Sequence, residues 1–267
     1  MPLSEADITV VVPAWGAYAG RPLREALETL REQDVPARVI VVDNASDDPV
    51  ESNEVIRTPR RLTVGAARTF GLERVDTPFV LFWDADDLML PGTLRFLRDR
   101  LLARPELVAV AGSILEDEPR VRHRFPRRWA AALARLWRLF AFADAIWSLF
   151  PTTGCTLIRT SAAREAGGFP DAHSGDDWVL GVSLAFRGRV ELIERPGRIY
   201  RRLGVSLWAG RRSPRHLRKH AALVRHRIRS DPGVPTWARF LLPLTAILQL
   251  AAIAARTLLG RPQARKG

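Results

Sequence analysis

Three carboxylates fall within four residues at Asp84-Ala85-Asp86-Asp87, directly after the apolar run Phe79-Val80-Leu81-Phe82-Trp83. Like charges held this close repel one another unless a cation or hydrogen-bond donors compensate. Mg²⁺ and Mn²⁺ suit that task, because each takes one or two carboxylates together with phosphate oxygens. The cluster therefore fits a seat for a metal-bound phosphorylated ligand, and equally the acidic cap of a helix with Pro91 in its first turn. A second acidic pair stands at Asp176-Asp177, and Asp43-Asn44 follows another apolar run, Val39 to Val42.

Groups so far apart in sequence meet only if the elements beneath them share an edge. Phe79 to Trp83 mixes β-branched and aromatic residues without polar alternation, which predicts a strand buried on both faces, entered at Thr77-Pro78. Its acids stand at the carboxyl end, the end that opens on the ligand crevice in open α/β sheets. Ile8 to Val12 predicts a first strand ending at Pro13-Ala14-Trp15-Gly16. Leu23, Ala26, Leu27 and Leu30 mark one face of a helix from Arg21 to Gln33, and Arg38 to Val42 predicts a second strand. Strand, helix and strand in that length form a parallel crossover, so both strand-end loops point the same way as the acids. Gly65 to Leu72 predicts a small-residue helix that packs closely and presents Arg68. The fold class is α/β, an open, mostly parallel sheet flanked by helices.

The chain has 267 residues, 47% of them hydrophobic, enough to bury a full core. A single cysteine, Cys155, excludes an internal disulfide and fits a small buried residue better than a nucleophile. The start, Met1 to Asp7, is acidic and runs straight into a strand, so no secretory signal is expected and the active part should face the cytosol. Net charge is +12, yet residues 195–230 hold twelve of the 41 Arg and Lys and no Asp or Glu, leaving 29 basic against 29 acidic residues elsewhere. The excess is one local block. It attracts phosphate as anionic lipid headgroups, lipid-linked pyrophosphate or nucleic acid, and with the body neutral, nucleic acid is the least expected partner.

Val12-Pro13-Ala14-Trp15, Val42-Asp43-Asn44-Ala45-Ser46-Asp47, Gly65-x-x-Arg68-Thr69-x-Gly71 and Asp84-Ala85-Asp86-Asp87, in this order and spacing, resemble the nucleotide-binding half of the family 2 glycosyltransferases, which have the GT-A fold. The resemblance covers roughly residues 8–205. Departures stand at Trp15-Gly16, where the family usually has Tyr-Asn, and at Thr69, where it has Asn. The resemblance implies a UDP-, GDP- or dTDP-linked sugar donor held at Pro13, Ala14, Trp15, Asp43, Asn44 and Arg68. It also implies Asp84 facing the ribose and Asp86 ligating the Mg²⁺ or Mn²⁺ on the diphosphate. A cation there neutralises charge on the departing nucleoside diphosphate. For Asp43, a turn-forming role before a helix stands beside the binding role.

Gly154 to Arg159 predicts a strand leading into Ala163 to Asp171, which resembles the family's short helix and Gly-Gly-Phe turn. Asp176-Asp177 then resembles the acidic pair that opens an acceptor-side helix, with Asp176 where glutamate is usual and Asp177 at the base position. An inverting transfer needs a carboxylate across the sugar from the leaving group to remove the acceptor's proton. Asp177 fits that role, and it also suits the N-cap of a helix starting at Trp178. Ile199 to Ser206 resembles a segment where many relatives carry a metal-touching histidine; here Leu203 stands in that place. Arg201, Arg202 and Ser206 are candidates for diphosphate contacts, while His216, His220 and His226 suit the solvated face of a basic helix.

Residues 129–150 hold three tryptophans and three phenylalanines after a run of arginines, a composition suited to a bilayer interface or to packing on the body. Phe240 to Ala255 carries no charge. At 1.5 Å per residue it reaches about 24 Å, short of a hydrocarbon core of about 30 Å, so it suits an interfacial or re-entrant segment, or a packed helix. The expected organisation is a GT-A domain over 1–205, with a nucleotide half at 8–112 and an acceptor half at 113–205, then a basic and apolar helical segment over 206–267. The expected function is an inverting, metal-dependent glycosyltransferase at the cytoplasmic face of the inner membrane, acting on a lipid-linked or cell-envelope glycan. The other function open to the sequence is a non-catalytic GT-A-like protein that binds nucleic acid or anionic membrane through the basic block.

Overall fold

The computed structural model describes residues 6–116, 122–125, 128–201 and 213–259. In chain order the strands are β1 (Ile8–Ala14), β2 (Arg38–Asp43), β3 (Val55–Arg57), β4 (Phe79–Phe82), β5 (Leu88–Met89), β6 (Leu107–Glu116), β7 (Arg122–Phe125), β8 (Thr156–Arg159) and β9 (Arg189–Tyr200). The helices are α1 (Arg21–Arg31), α2 (Val64–Leu72), α3 (Thr93–Ala103), α4 (Arg128–Ala134), α5 (Trp137–Ile146), α6 (Thr160–Glu165), α7 (Asp176–Arg187), α8 (Pro214–Ser230), α9 (Thr236–Phe240) and α10 (Leu242–Leu259).

Side chains alternate along a strand, and the central strands are apolar on both sides, so both faces of the sheet must be covered. β1 sends Ile8, Val10 and Val12 to one core and Val11 to the other, while β4 sends Phe79 and Leu81 one way and Val80 and Phe82 the other. One core is closed by α1 through Leu23, Ala26, Leu27 and Leu30, the four positions its spacing marked, and by α3 through Leu94, Leu97 and Leu101. The opposite core is closed by α2, α5 and α7, with Ala221, Val224 and Ile228 of α8 and Ile253 of α10 added to it.

The strands form one sheet in the order β3-β2-β1-β4-β8-β6-β9-β5, with β7 on β6. β1 runs parallel to β2 and to β4, as the crossover pattern required. Past β4 the sheet is mixed: β8 runs against both β4 and β6, and β9 is parallel to β6. These directions bring the carboxyl ends of β1, β2, β4 and β9 and the amino end of β8 to one edge. α2 packs very closely on the loop before α7, since a Cβ at Gly65 would sit 2.1 Å from the Pro170 carbonyl oxygen.

Residues 129–150 do not form one helix. They fold as α4 and α5 with Phe140 and Phe150 wholly buried and Trp129 exposed. Among the described residues no helix is long and apolar enough to cross a membrane. His220, expected on a solvated face, is buried where α8 meets the loop before α7, and its Nε2 lies 2.9 Å from Ser174 Oγ.

Candidate active site

Two residues past the end of β4, Asp84 stands between two buried guanidiniums. Its Oδ1 accepts from Arg68 Nη2 at 2.6 Å and its Oδ2 from Arg198 Nη2 at 2.6 Å. Arg68, on α2, also donates through Nη1 to Asp176 Oδ2 at 2.5 Å, so one side chain ties the acid of β4 to the first residue of α7. Arg198, on β9, pairs with Asp87 as well and donates to the Thr153 carbonyl at 3.1 Å. Residue 154 has to be glycine for this to work. Its φ is +89°, and a Cβ there would lie 1.8 Å from Arg198 Nη1.

The charges follow from this wiring. Burial opposes ionisation of Asp84, but Arg198 and Arg68 outweigh it and hold the carboxyl below its ordinary value. Burial lifts Asp87 to about 7 against the pull of Arg198, and Asp176 to about 6 against that of Arg68. Burial, and then the charge of Asp84, lift Asp86 to about 6. Asp177 is raised chiefly by burial. Asp86 and Asp177 both line the cleft at this edge, and neither is ion-paired among the described residues. No group of three or more His, Cys, Asp or Glu forms a metal cage among those residues. A cation brought in with a diphosphate fits nevertheless: it needs one accessible carboxylate, and Asp86 lines the cleft with no ion-pair partner among the described residues.

The family model described as "Glycosyl transferase family 2" matches residues 9–167. A pre-mycofactocin glycosyltransferase of Mycobacterium tuberculosis is 32% identical over 212 residues, which cover 73% of this chain and 41% of that protein. The chain belongs to glycosyltransferase family 2. It spans less than half the length of that curated relative. Among solved structures, S. aureus TarS 1-349 in complex with UDP-GlcNAc superposes with a TM-score of 0.70 at 16% identity, covering 96% of this chain and 77% of that one. Mannosyltransferase PcManGT from Pyrobaculum calidifontis, in complex with GDP-Man and Mn²⁺, gives 0.58 at 20% identity, covering 96% and 76%. At these identities the likeness is one of fold, and that fold is GT-A.

The family 2 motifs fall on the same edge with different fates. Pro13 and Trp15 line the cleft beside Tyr18, whose ring centroid lies 5.7 Å from that of Trp15. Ala14 is buried in β1. Asp43 is bonded within its own loop, accepting from Ser46 N at 2.9 Å and Arg57 Nη1 at 2.7 Å. Asn44 brackets Leu62, accepting from its N–H at 2.8 Å and donating to its carbonyl at 3.0 Å. Thr69, at the family's asparagine position, accepts from Phe169 N at 2.9 Å and donates to Phe169 O at 3.1 Å, so it fastens α2 to the Gly-Gly-Phe turn. α7 starts two residues earlier than expected, at Asp176 after Gly175, so Asp177 is inside the first turn and not the cap; its Oδ1 accepts from Trp178 N at 2.8 Å. Arg201 is drawn to Glu25 and to the Asp86 and Pro22 carbonyls. Arg202, Leu203 and Ser206 lie outside the described residues.

Arg198 escapes a sequence reading altogether. It follows Pro196-Gly197 inside a strand rich in charged residues, and only the order β6-β9-β5 places it against Asp84. Thr153, Tyr18 and Tyr200 line the cleft for the same reason of topology.

Proposed function

We propose that this chain is an inverting glycosyltransferase that takes a sugar from a nucleotide-sugar donor with the help of a divalent cation. The observation that carries this reading is a division among five carboxylates at one edge. Asp84, Asp87 and Asp176 are locked to buried arginines, whereas Asp86 and Asp177 line the cleft without one among the described residues. A locked acid has its oxygens committed to a guanidinium and fixes geometry. An acid raised by burial that lines the cleft without such a bond is open to take the proton of an acceptor hydroxyl.

Asp177 is therefore the base that removes the acceptor hydroxyl proton. Its seat in the first turn of α7 works against the burial that raises it, because the amide dipoles there favour negative charge. Asp176 is a positioning residue: through Arg68 it holds the acceptor half in register with Asp84. Asp86 would hold Mg²⁺ or Mn²⁺, with phosphate oxygens and water completing the shell. When bound, that ion supplies Lewis-acid stabilisation of the departing nucleoside diphosphate. Pro13 and Trp15 would take the donor's nucleoside end, and the UDP-GlcNAc and GDP-Man in the TarS and PcManGT complexes make UDP and GDP the first nucleotides to try. The acceptor assigned is a lipid-linked or cell-envelope glycan at the cytoplasmic face of the inner membrane. Support for it comes from the exposed Arg and Lys of α8, a helix without acidic residues that suits an anionic surface and that meets the loop before α7 through His220 and Ser174.

Calorimetric titration of the chain with UDP-, GDP- and dTDP-linked sugars, with and without Mn²⁺, tests the reading. One donor class should bind in a metal-dependent way, and Asp86→Ala should abolish the metal dependence. Failure of every donor to bind in the presence of metal would refute it.

A further inference from the structure

Helix α10 buries Ile253 but leaves a row of large apolar residues facing outward. The positions it buries include Thr245 and Gln249, and Gln249 is held by Arg225 of α8 and by the Ala145 carbonyl at 2.8 Å. Leu244, Ile247, Leu250 and Leu258 face outward with 44%, 64%, 50% and 85% of their surface exposed, and Phe240, at the end of α9, is 80% exposed. A surface helix normally turns its apolar stripe inward and its polar residues out. An apolar row left outside, while Thr245 and Gln249 take buried positions beside Ile253, marks a face that something apolar covers.

We propose that this face docks on an anionic bilayer surface, with α10 lying in the plane of the interface. Charge selects the occupant. Residues 236–259 contain no Asp or Glu, and Arg256 stands exposed in the last turn of α10. α8 packs along α10, has no acidic residue, and exposes Arg215, Arg218, Lys219 and Arg229. Apolar side chains beside cations with no acidic residue on either helix match acyl chains below anionic headgroups. A second copy of the chain is a poorer cover, because pairing two such faces would bring like charges together. α10 is not long and apolar enough to cross, so it lies on the membrane. The same arrangement ties the membrane to the cleft, since His220 on α8 meets Ser174 in the loop before α7. Docking would hold that rim of the cleft at a fixed height above the headgroups. The inference does not rest on the sugar-transfer reading.

The test is flotation of the full chain with vesicles of phosphatidylcholine alone or with phosphatidylglycerol added, set beside the double variant Ile247→Glu, Leu250→Glu. Both sites are solvent-exposed, so the variant should keep its melting temperature, and its nucleotide affinity should be unchanged. The wild type should float with the phosphatidylglycerol vesicles and be released by salt. The double variant should bind at least about tenfold more weakly, as expected when two apolar anchors are replaced by charges facing an anionic surface. Equal flotation of variant and wild type at equal stability would overturn the proposal, as would absence of wild-type binding to phosphatidylglycerol vesicles. A wild-type dimer in sedimentation that the double variant turns into a monomer would also overturn it, by making the face a self-contact.

Discussion

Asn substitutions at Asp176 and Asp177, made one at a time, separate a locked acid from a working one. Asp176 is one of two carboxylates on a guanidinium whose side chain is only 8% exposed. Removing one partner of a buried pair costs about 3–5 kcal/mol when the remaining charge is stranded. Here Asp84 stays on Arg68 at 2.6 Å and Asn still offers an oxygen, so we expect the low end, about 3 kcal/mol. For a chain of this length, about 2 °C per kcal/mol puts the fall in Tm at about 6 °C. Asp177 has no arginine to strand, and burial already disfavours its charge. Asp177→Asn should leave Tm unchanged within about 0.5 kcal/mol, the scale of a lost first-turn charge. Turnover, by contrast, should drop by about 10²–10⁴, or about 3–5 kcal/mol of barrier, the range for a missing general base. Differential scanning fluorimetry, donor titration and turnover on the two variants read the three quantities separately. If Asp176→Asn is inactive at normal Tm while Asp177→Asn turns over, the roles are exchanged. If neither variant loses turnover, the assignment of an inverting base to this cleft fails.

Asp86→Ala should lose metal-dependent donor affinity without losing Tm, because it removes a carboxylate that burial and Asp84 already disfavour; a fall in Tm with intact metal dependence would show that Asp86 is structural. Gly154→Ala should lower Tm and donor affinity together, since its methyl would displace Arg198 from Asp84 and Asp87 and the residue would keep a positive φ, at about 2–4 kcal/mol in all; an unchanged melting curve would mean that Arg198 has another way to sit. Asp144, wholly buried on α5 with Oδ1 accepting from Leu149 N at 2.7 Å, is pushed by burial up to about 8. With an unfolded value near about 3.9, the native state keeps a proton that the unfolded chain releases, so this group's contribution is full below about pH 4 and is lost by about 1.4 kcal/mol per unit as pH rises toward 8. Asp144→Asn should remove that slope, and identical Tm-against-pH profiles for the two proteins between pH 5 and 8 would refute the assignment.

What the sequence makes legible is whatever depends on neighbours along the chain. The four leucine and alanine positions of α1, the two-sided strand β4 and the turn of carboxylates after it all follow from spacing, and spacing is local. The outward row of α10 is half legible: periodicity marks an apolar helix, but which side faces the body depends on whether Gln249 meets Arg225 and Ala145, and no pattern encodes that meeting. The state of each acid is less legible still. Arg68 lies 16 residues from Asp84 but 108 from Asp176, and Arg198 lies 114 from Asp84. Asp176 and Asp177 are adjacent and chemically alike, so their sequence cannot say which is bound to an arginine; the approach of α2 to the loop before α7 at Gly65 decides it. The residues that carry charge in this cleft are thus written locally, while their proton affinities are set by partners that only the sheet order delivers. A substitution at Gly154 or Gly65, remote in sequence from the acids of the cleft, should for that reason alter the chemistry of the carboxylates as strongly as a change to the carboxylates themselves.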